Sequence, residues 1–162
     1  QYTHAAVWAG MAFARLGDSA RAWEVLRLIN PVSHGNATTI EQYKVEPYVV
    51  SADVYGVAPH AGRGGWSWYT GAAGWMYRFV VESLLGVQRI GNNMRLQPLL
   101  PANWPGFSLD YRFGSTLYRI EVHQAADATP ALHLDGISLD GPDIPLLDDA
   151  REHRIELHCR PL

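Results

Sequence analysis

The chain has 162 residues, 48% hydrophobic and 18% charged, with a formal net charge of −3. This length holds one domain or two small ones, and the apolar content excludes wholesale disorder. The charge offers no basic face for nucleic acid, the lone Cys159 excludes a disulfide framework or cysteine-rich zinc site, and no apolar run is long enough for a membrane span.

Starting at Gln1 and passing at once into a helical pattern, the sequence reads as a piece of a longer protein. Val7, Trp8, Met11, Ala12 and Leu16 predict a helix over 3–16, with Thr3 as N-cap and Gly17 as stop. Asp18 then caps a second helix through Ala22, Trp23, Val25, Leu26 and Ile29, which Asn30-Pro31 ends. Thr39 with Gln42 resembles a capping box, and Val45–Val50, interrupted by Pro47, reads as an extended loop. A longer helix is expected from about Thr70 to Leu85, stopped by Gly86.

Beyond Gly86 the period changes to two. Val87–Ile90 and Met94–Gln97 flank Gly91-Asn92-Asn93 as a hairpin. Further strands are expected at 108–113, 117–123, 131–134, 137–139 and 154–159, with turns at Asp135-Gly136 and Gly141-Pro142. Helices first and short strands second predict residues 1–86 as part of a helical array and residues 87–162 as a β-sandwich or jelly roll. A slice of a helical array would leave an apolar edge exposed.

The stretch from Gly62 to Tyr77 is the most telling: a glycine-rich turn, three tryptophans and Thr70-Gly71 lead into an apolar helix. Bare N–H groups at a helix start favour an anion, and tryptophan faces suit a sugar ring, so phosphate plus carbohydrate is the expectation. From the residues alone, however, Thr70 reads better as an N-cap and Gly71 as a packing glycine.

Gln1-Tyr2-Thr3-His4, Arg15-Leu16-Gly17-Asp18, Tyr43-Lys44-Val45-Glu46-Pro47-Tyr48-Val49, the Gly62–Tyr77 segment and Leu85-Gly86-Val87 together resemble glycoside hydrolase family 94. The stretches Glu46–Tyr55 and Gly64–Gly71 are most similar to its cyclic β-1,2-glucan synthase branch, with the β-1,2-oligoglucan phosphorylases close by. The resemblance implies the last helices of an (α/α)6 barrel followed by a jelly roll. It also implies a bacterial carbohydrate-active enzyme in which inorganic phosphate is co-substrate and attacks the anomeric carbon of a β-glucan with inversion, limiting chain length. The family's general-acid aspartate precedes the segment corresponding to Gln1, so this piece alone would lack a catalytic residue and be inactive. The remainder of the parent chain, a β-glucan and a second copy in a homodimer are the implied partners, with no cofactor. The parent is expected at the bacterial inner membrane with this part cytoplasmic, or in the cytoplasm if it is a free phosphorylase.

On the same basis, His4, Thr70 and Gly71 match the family's phosphate-binding residues. Lys44 and Glu46 lie where it lines its sugar subsites; Arg63 and Trp66 are further substrate-binding candidates, with Trp68 and Trp75 as other indoles. Alternatives stand beside each: a helix-terminal histidine for His4, an ion pair of Glu46 with Lys44 or Arg63, an Arg63–Asp53 pair, and packing for the tryptophans, Trp75 being expected buried. His123, His133, His153 and His158, expected on separate strands, show no metal-ligand spacing, and His34 and His60 read as structural or surface residues. Asp148-Asp149 with Glu152 reads as a solvated loop.

Two other classes remain. An inverting hydrolase would need Glu46 as general base, and a non-catalytic carbohydrate-binding module would need exposed aromatics on the β half, where Trp104, Tyr111 and Tyr118 are the candidates.

Overall fold

The computed structural model describes residues 1–68 and 71–161. Thr70, proposed above as a phosphate ligand and helix start, lies outside them. The chain forms two compact units, Gln1–Leu84 and Leu85–Leu162.

The first unit is helical. Helix α1 spans Thr3–Arg15 and α2 spans Ser19–Ile29. Asp18 caps α2 as expected, its carboxylate accepting from the Arg21 amide. Thr3 does not cap α1: Tyr2 holds that position, and Thr3 is the buried first helical residue, its amide donating to the Ala52 carbonyl at 2.8 Å. Asn30 ends α2 and caps the single turn α3, Pro31–His34. Another short helix, α4, covers Ile40–Tyr43, but no capping box forms. Thr39 Oγ1 donates to the His34 carbonyl and Gln42 Nε2 to that of Ala61, so tertiary partners win both side chains.

The last helix of this unit is α5, Ala72–Arg78, and it runs on into a π-helical segment over Phe79–Leu84. The sequence period predicts a uniform α-helix there; the widened turns instead set Phe79 and Leu84 wholly inside. Phe79 packs on Gly10 of α1, where a β-carbon would stand 2.5 Å from the ring. A second small core joins Tyr43, Val45 and Val49 with Val54, and holds the extended loop after α4 in place. An apolar cleft of about 510 Å³, lined in part by Ala6, Ala9, Val25, Leu28 and Ile29, opens on this unit.

The second unit is β. Strands β1 (Val87–Ile90), β2 (Asn93–Leu96) and β7 (Asp143–Pro145) make a three-stranded antiparallel sheet. Its hairpin closes on Gly91-Asn92 alone, with Gly91 at φ +63° and Asn93 already paired to Ile90. The β7 strand has no counterpart among the sequence expectations, which place only a turn nearby. The other sheet orders β3 (Gly106–Phe113), β4 (Thr116–Gln124), β8 (Glu152–Cys159), β5 (Ala131–Leu134) and β6 (Ile137–Ser138). On β4 the alternation is complete: Thr116, Tyr118, Ile120, Val122 and Gln124 are buried, while the residues between them are more exposed. Tyr118 is thus no exposed aromatic but 1% accessible.

Strands β4 and β8 run parallel in register, which sets Tyr118 beside His153 and His123 beside His158. Both ring pairs stack, at 5.2 and 5.0 Å. His153 and His158 share one strand, against the expectation of separate ones. His153 Nδ1 lies 2.7 Å from the Asp135 carboxylate and Nε2 3.3 Å from that of Asp149. Asp148 and Asp149 lie exposed in the loop before β8, as expected, and are also tied down there: Asp148 accepts from the Ser115 amide and hydroxyl, and Asp149 accepts from the Thr116 hydroxyl and the Arg151 amide. Among the described residues no helix is long and apolar enough to cross a membrane, and no group of side chains is set to hold a metal ion.

Two stability predictions follow from this packing. Gly10→Ala forces the Phe79 ring aside and lowers the first unit's stability by about 1–3 kcal/mol in urea unfolding; Gly74→Ala, with open space around it, does not. The hydrogen bond to Asp135, then the charges of Asp135 and Asp149, raise the His153 pKa above its ordinary value. Its contribution is therefore complete below about pH 6.5 and is lost as pH rises through the raised folded value. Protection of the β8 amides, taken relative to their intrinsic base-catalysed exchange, falls over that interval, and His153→Gln removes that fall.

Candidate functional site

The candidate residues of the first unit depend on three short stretches that pair without forming regular strands. The Thr3 amide donates to the Ala52 carbonyl and the Val54 amide to that of Gln1. On the other side of 52–54, the Ala52 amide donates to the Trp66 carbonyl and the Gly65 amide to that of Asp53. Bridges at Tyr2–Asp53 and Val54–Gly64 complete the lacing. Gly64 and Gly65 are required by it, because a β-carbon would collide with Val45 at the first and with the Asp53 carboxylate at the second.

This lacing fixes His4 on the first turn of α1, where it meets Gly71 ahead of α5. A β-carbon on Gly71 would stand 2.8 Å from His4 Nε2. The ring stacks on Tyr2 at 5.3 Å and meets the edge of Trp8 at 6.0 Å. Its Nδ1 is buried and has no hydrogen-bond partner among the described residues. Two residues far apart in sequence are thus in contact, with one ring nitrogen against a glycine backbone. Trp75 is half-buried, not fully buried; its indole meets the edge of Trp8 and carries the Arg78 guanidinium over its face, both packing roles.

Glu46 lies in the loop after α4. Its carboxylate accepts from the Trp68 indole N–H at 3.0 Å, and Tyr48 lies edge-on to Trp68 at 6.5 Å. Trp68 holds this pose at φ +69°, a conformation that a non-glycine residue adopts only when its surroundings impose it. The indole hydrogen bond, reinforced by a backbone one, holds the Glu46 carboxyl below its ordinary pKa. No ion pair forms with Lys44 or Arg63 among the described residues. Lys44 itself is exposed, at φ 52° where α4 ends.

Arg63 likewise does not pair with Asp53, whose carboxylate accepts instead from the Trp66 amide. Arg63 and Trp66 line a cavity of about 350 Å³ together with Tyr55 and His60. Neither Tyr55 nor His60 stands out in the sequence as a site residue; the doubled-back loop brings them beside Arg63. His34 is structural, stacked on Tyr43 at 5.0 Å and bonded to the Leu28 carbonyl.

Residues 1–86 match the family model described as the glycosyl hydrolase 94 superfamily, catalytic domain. The chain belongs to this superfamily. Over 123 residues it is 50% identical to the cyclic beta-(1,2)-glucan synthase NdvB of Rhizobium meliloti (strain 1021), an alignment covering 75% of this chain and 4% of that protein. The N,N'-diacetylchitobiose phosphorylase of Vibrio proteolyticus is 29% identical over 145 residues, 86% of this chain and 18% of that one. The solabiose phosphorylase of Paenibacillus borealis is 26% identical over 160 residues, 96% and 21% respectively. The chain therefore spans about a fifth or less of these relatives. By their names these relatives are a glucan synthase and two phosphorylases, all acting on carbohydrates.

Glu46→Ala is expected to release the Trp68 indole. The indole N–H resonance shifts toward its free position, while β8 amide exchange is unchanged.

Proposed function

We propose that this segment forms the phosphate side and part of the sugar side of a site that cleaves β-1,2-glucan by inverting phosphorolysis, within a polypeptide of full family length. The observation that carries the reading is the meeting of His4 Nε2 with Gly71 ahead of α5, in a chain belonging to the glycosyl hydrolase 94 superfamily. Phosphate takes its place against His4, Thr70 and Gly71, where backbone and imidazole donors balance its charge. From there a phosphate oxygen attacks the anomeric carbon from the face opposite the leaving sugar. The glycosidic bond breaks as the new C–O bond forms, and a sugar 1-phosphate of inverted configuration results. The leaving oxygen takes its proton from a carboxylic acid supplied by another part of the polypeptide. Glu46, Tyr48 and Trp68 contact the glucan, with the carboxylate accepting from sugar hydroxyls.

The 50% identity to a cyclic beta-(1,2)-glucan synthase supports β-1,2-glucan as substrate, and the phosphorylase relatives support phosphate as co-substrate. Phosphorolysis would then limit chain length in a synthase parent. A hydrolase with Glu46 as base is less well supported. That carboxylate already accepts from Trp68 and sits below its ordinary pKa, which weakens its drive to take a proton from water. A binding-module role for the β unit loses Tyr118, which is buried.

In the full-length polypeptide, omission of inorganic phosphate abolishes product formation from β-1,2-glucan. Equal rates with and without phosphate overturn the reading. Gly71→Ala, whose β-carbon enters the space beside His4, raises the KM for phosphate on the order of tenfold (about 1.4 kcal/mol) with little change in the KM for glucan.

A further inference from the structure

The five-stranded sheet ends on β3, which pairs with β4 and with no other strand among the described residues. That pairing runs unbroken through all eight residues of Gly106–Phe113. The other sheet edges are shorter: β1 has four residues, β7 three and β6 two. Short edges, prolines, lysines and bulges keep an edge from pairing with another chain. Strand β3 has none of the four.

The ladder shows which backbone groups of β3 face away from the sheet. The Gln124 amide donates to the Pro105 carbonyl at 2.7 Å, one step beyond the Gly106–His123 pair. Hydrogen-bonded and non-bonded pairs alternate along an antiparallel ladder, so Phe107, Leu109, Tyr111 and Phe113 turn their backbone groups to β4. Ser108, Asp110 and Arg112 turn theirs outward, and among the described residues no hydrogen bond reaches these groups. Their side chains are exposed. On the opposite face Leu109 and Tyr111 are half-buried, whereas Ile120 and Tyr118 beside them on β4 are each 1% exposed. One more strand beyond β3 would complete that apolar layer.

Charge selects the strand that fits. A second copy of β3 laid antiparallel about Tyr111 sets Asp110 opposite Arg112 of the second copy, and Arg112 opposite its Asp110. Both positions have outward backbone groups, so these two pairs exchange about four hydrogen bonds. Each pair also brings opposite charges together across the strands. Arg112 makes no ion pair within the chain among the described residues, and Asp110 shares Arg119 with Glu152. Pairing about Asp110 instead sets that carboxylate against itself. Pairing about Leu109 sets Asp110 against Ser108 and Arg112 against Gly106, with no opposite charges facing. The favoured register uses the same patch on both copies, as a two-fold interface requires.

We propose that β3 is a self-association surface, through which two copies of this chain join their five-stranded sheets antiparallel about Tyr111, with reciprocal Asp110–Arg112 ion pairs. The association depends on no reading of substrate or reaction.

The test is sedimentation equilibrium of the 162-residue chain, combined with amide exchange by NMR. A concentration-dependent monomer–dimer equilibrium is expected, with the Asp110 and Arg112 amides protected as the dimer forms. Arg112→Asp sets like charges opposite each other and weakens dimerisation about tenfold or more. Adding Asp110→Arg to that variant restores opposite charges and recovers the dimer. Both side chains are exposed, and unchanged β4 and β8 amide spectra show that each variant is folded. A chain that stays monomeric at millimolar concentration overturns the proposal. So does a dimer that Arg112→Asp leaves intact, that the double variant fails to restore, or in which the two amides exchange as freely as in the monomer. Association then runs through another surface, such as the apolar cleft of the first unit.

Discussion

The backbone lacing of residues 1–3, 52–54 and 64–66 is the constraint on which the candidate site depends. Each bond is worth about 1 kcal/mol, yet together they fix three stretches that have no helix or sheet of their own. Through the first stretch, His4 is set on the opening turn of α1 and reaches Gly71. Through the third, Trp66 and Arg63 are set beside Tyr55. The glycines at 64 and 65 owe their place to this lacing more than to any ligand, since side chains there would collide with Val45 and Asp53. One backbone arrangement thus decides both ends of the site.

Elements with a repeating pattern were legible in the sequence. Helices α1 and α2, the hairpin and the strands β3, β4, β5 and β8 follow apolar periods of 3.6 or 2, and tertiary packing agrees with them. What was not legible depends on single contacts. Thr3 has the chemistry of a cap and is instead buried beneath Ala52; Thr39 and Gln42 have the spacing of a capping box and are drawn to carbonyls elsewhere. Strand β7 is three residues long, ends in Pro145 and owes its existence to pairing with β2. The π-helical segment leaves the apolar pattern of 79–84 readable and changes only which side chains point inward. The site divides in the same way. His4, Gly71, Glu46, Arg63 and Trp66 are candidates by their motifs, whereas Tyr55 and His60 come beside Arg63 only through the folding back of the loop.

The histidines of the second unit show how register creates structure from residues that look scattered. A parallel, in-register pairing of β4 with β8 puts each aromatic of one strand beside its partner on the other, so Tyr118 stacks on His153 and His123 on His158. His153 then joins the turn holding Asp135 to the segment holding Asp149. The Tyr118 hydroxyl receives the Leu147 amide at 2.7 Å from that same segment. A backbone bond from Arg154 and the contact with His153 keep the Asp135 carboxyl below its ordinary pKa, and the same contact raises that of His153, so each stabilises the charged form of the other. These interactions give the histidines a structural account that requires no metal.

The state of Glu46 bears on the chemistry of the first unit. An inverting hydrolase needs a carboxylate free to take a proton from water. Glu46 accepts the Trp68 indole N–H, which stabilises its ionised form and makes it a weaker base. Phosphorolysis has no such requirement, because phosphate arrives already anionic and attacks without deprotonation by the protein. A carboxylate tied to an indole can still accept from sugar hydroxyls through its other oxygen. The same hydrogen bond that disfavours Glu46 as a base therefore orients it, with Tyr48 and Trp68 beside it, in a pose compatible with the sugar contact proposed for it.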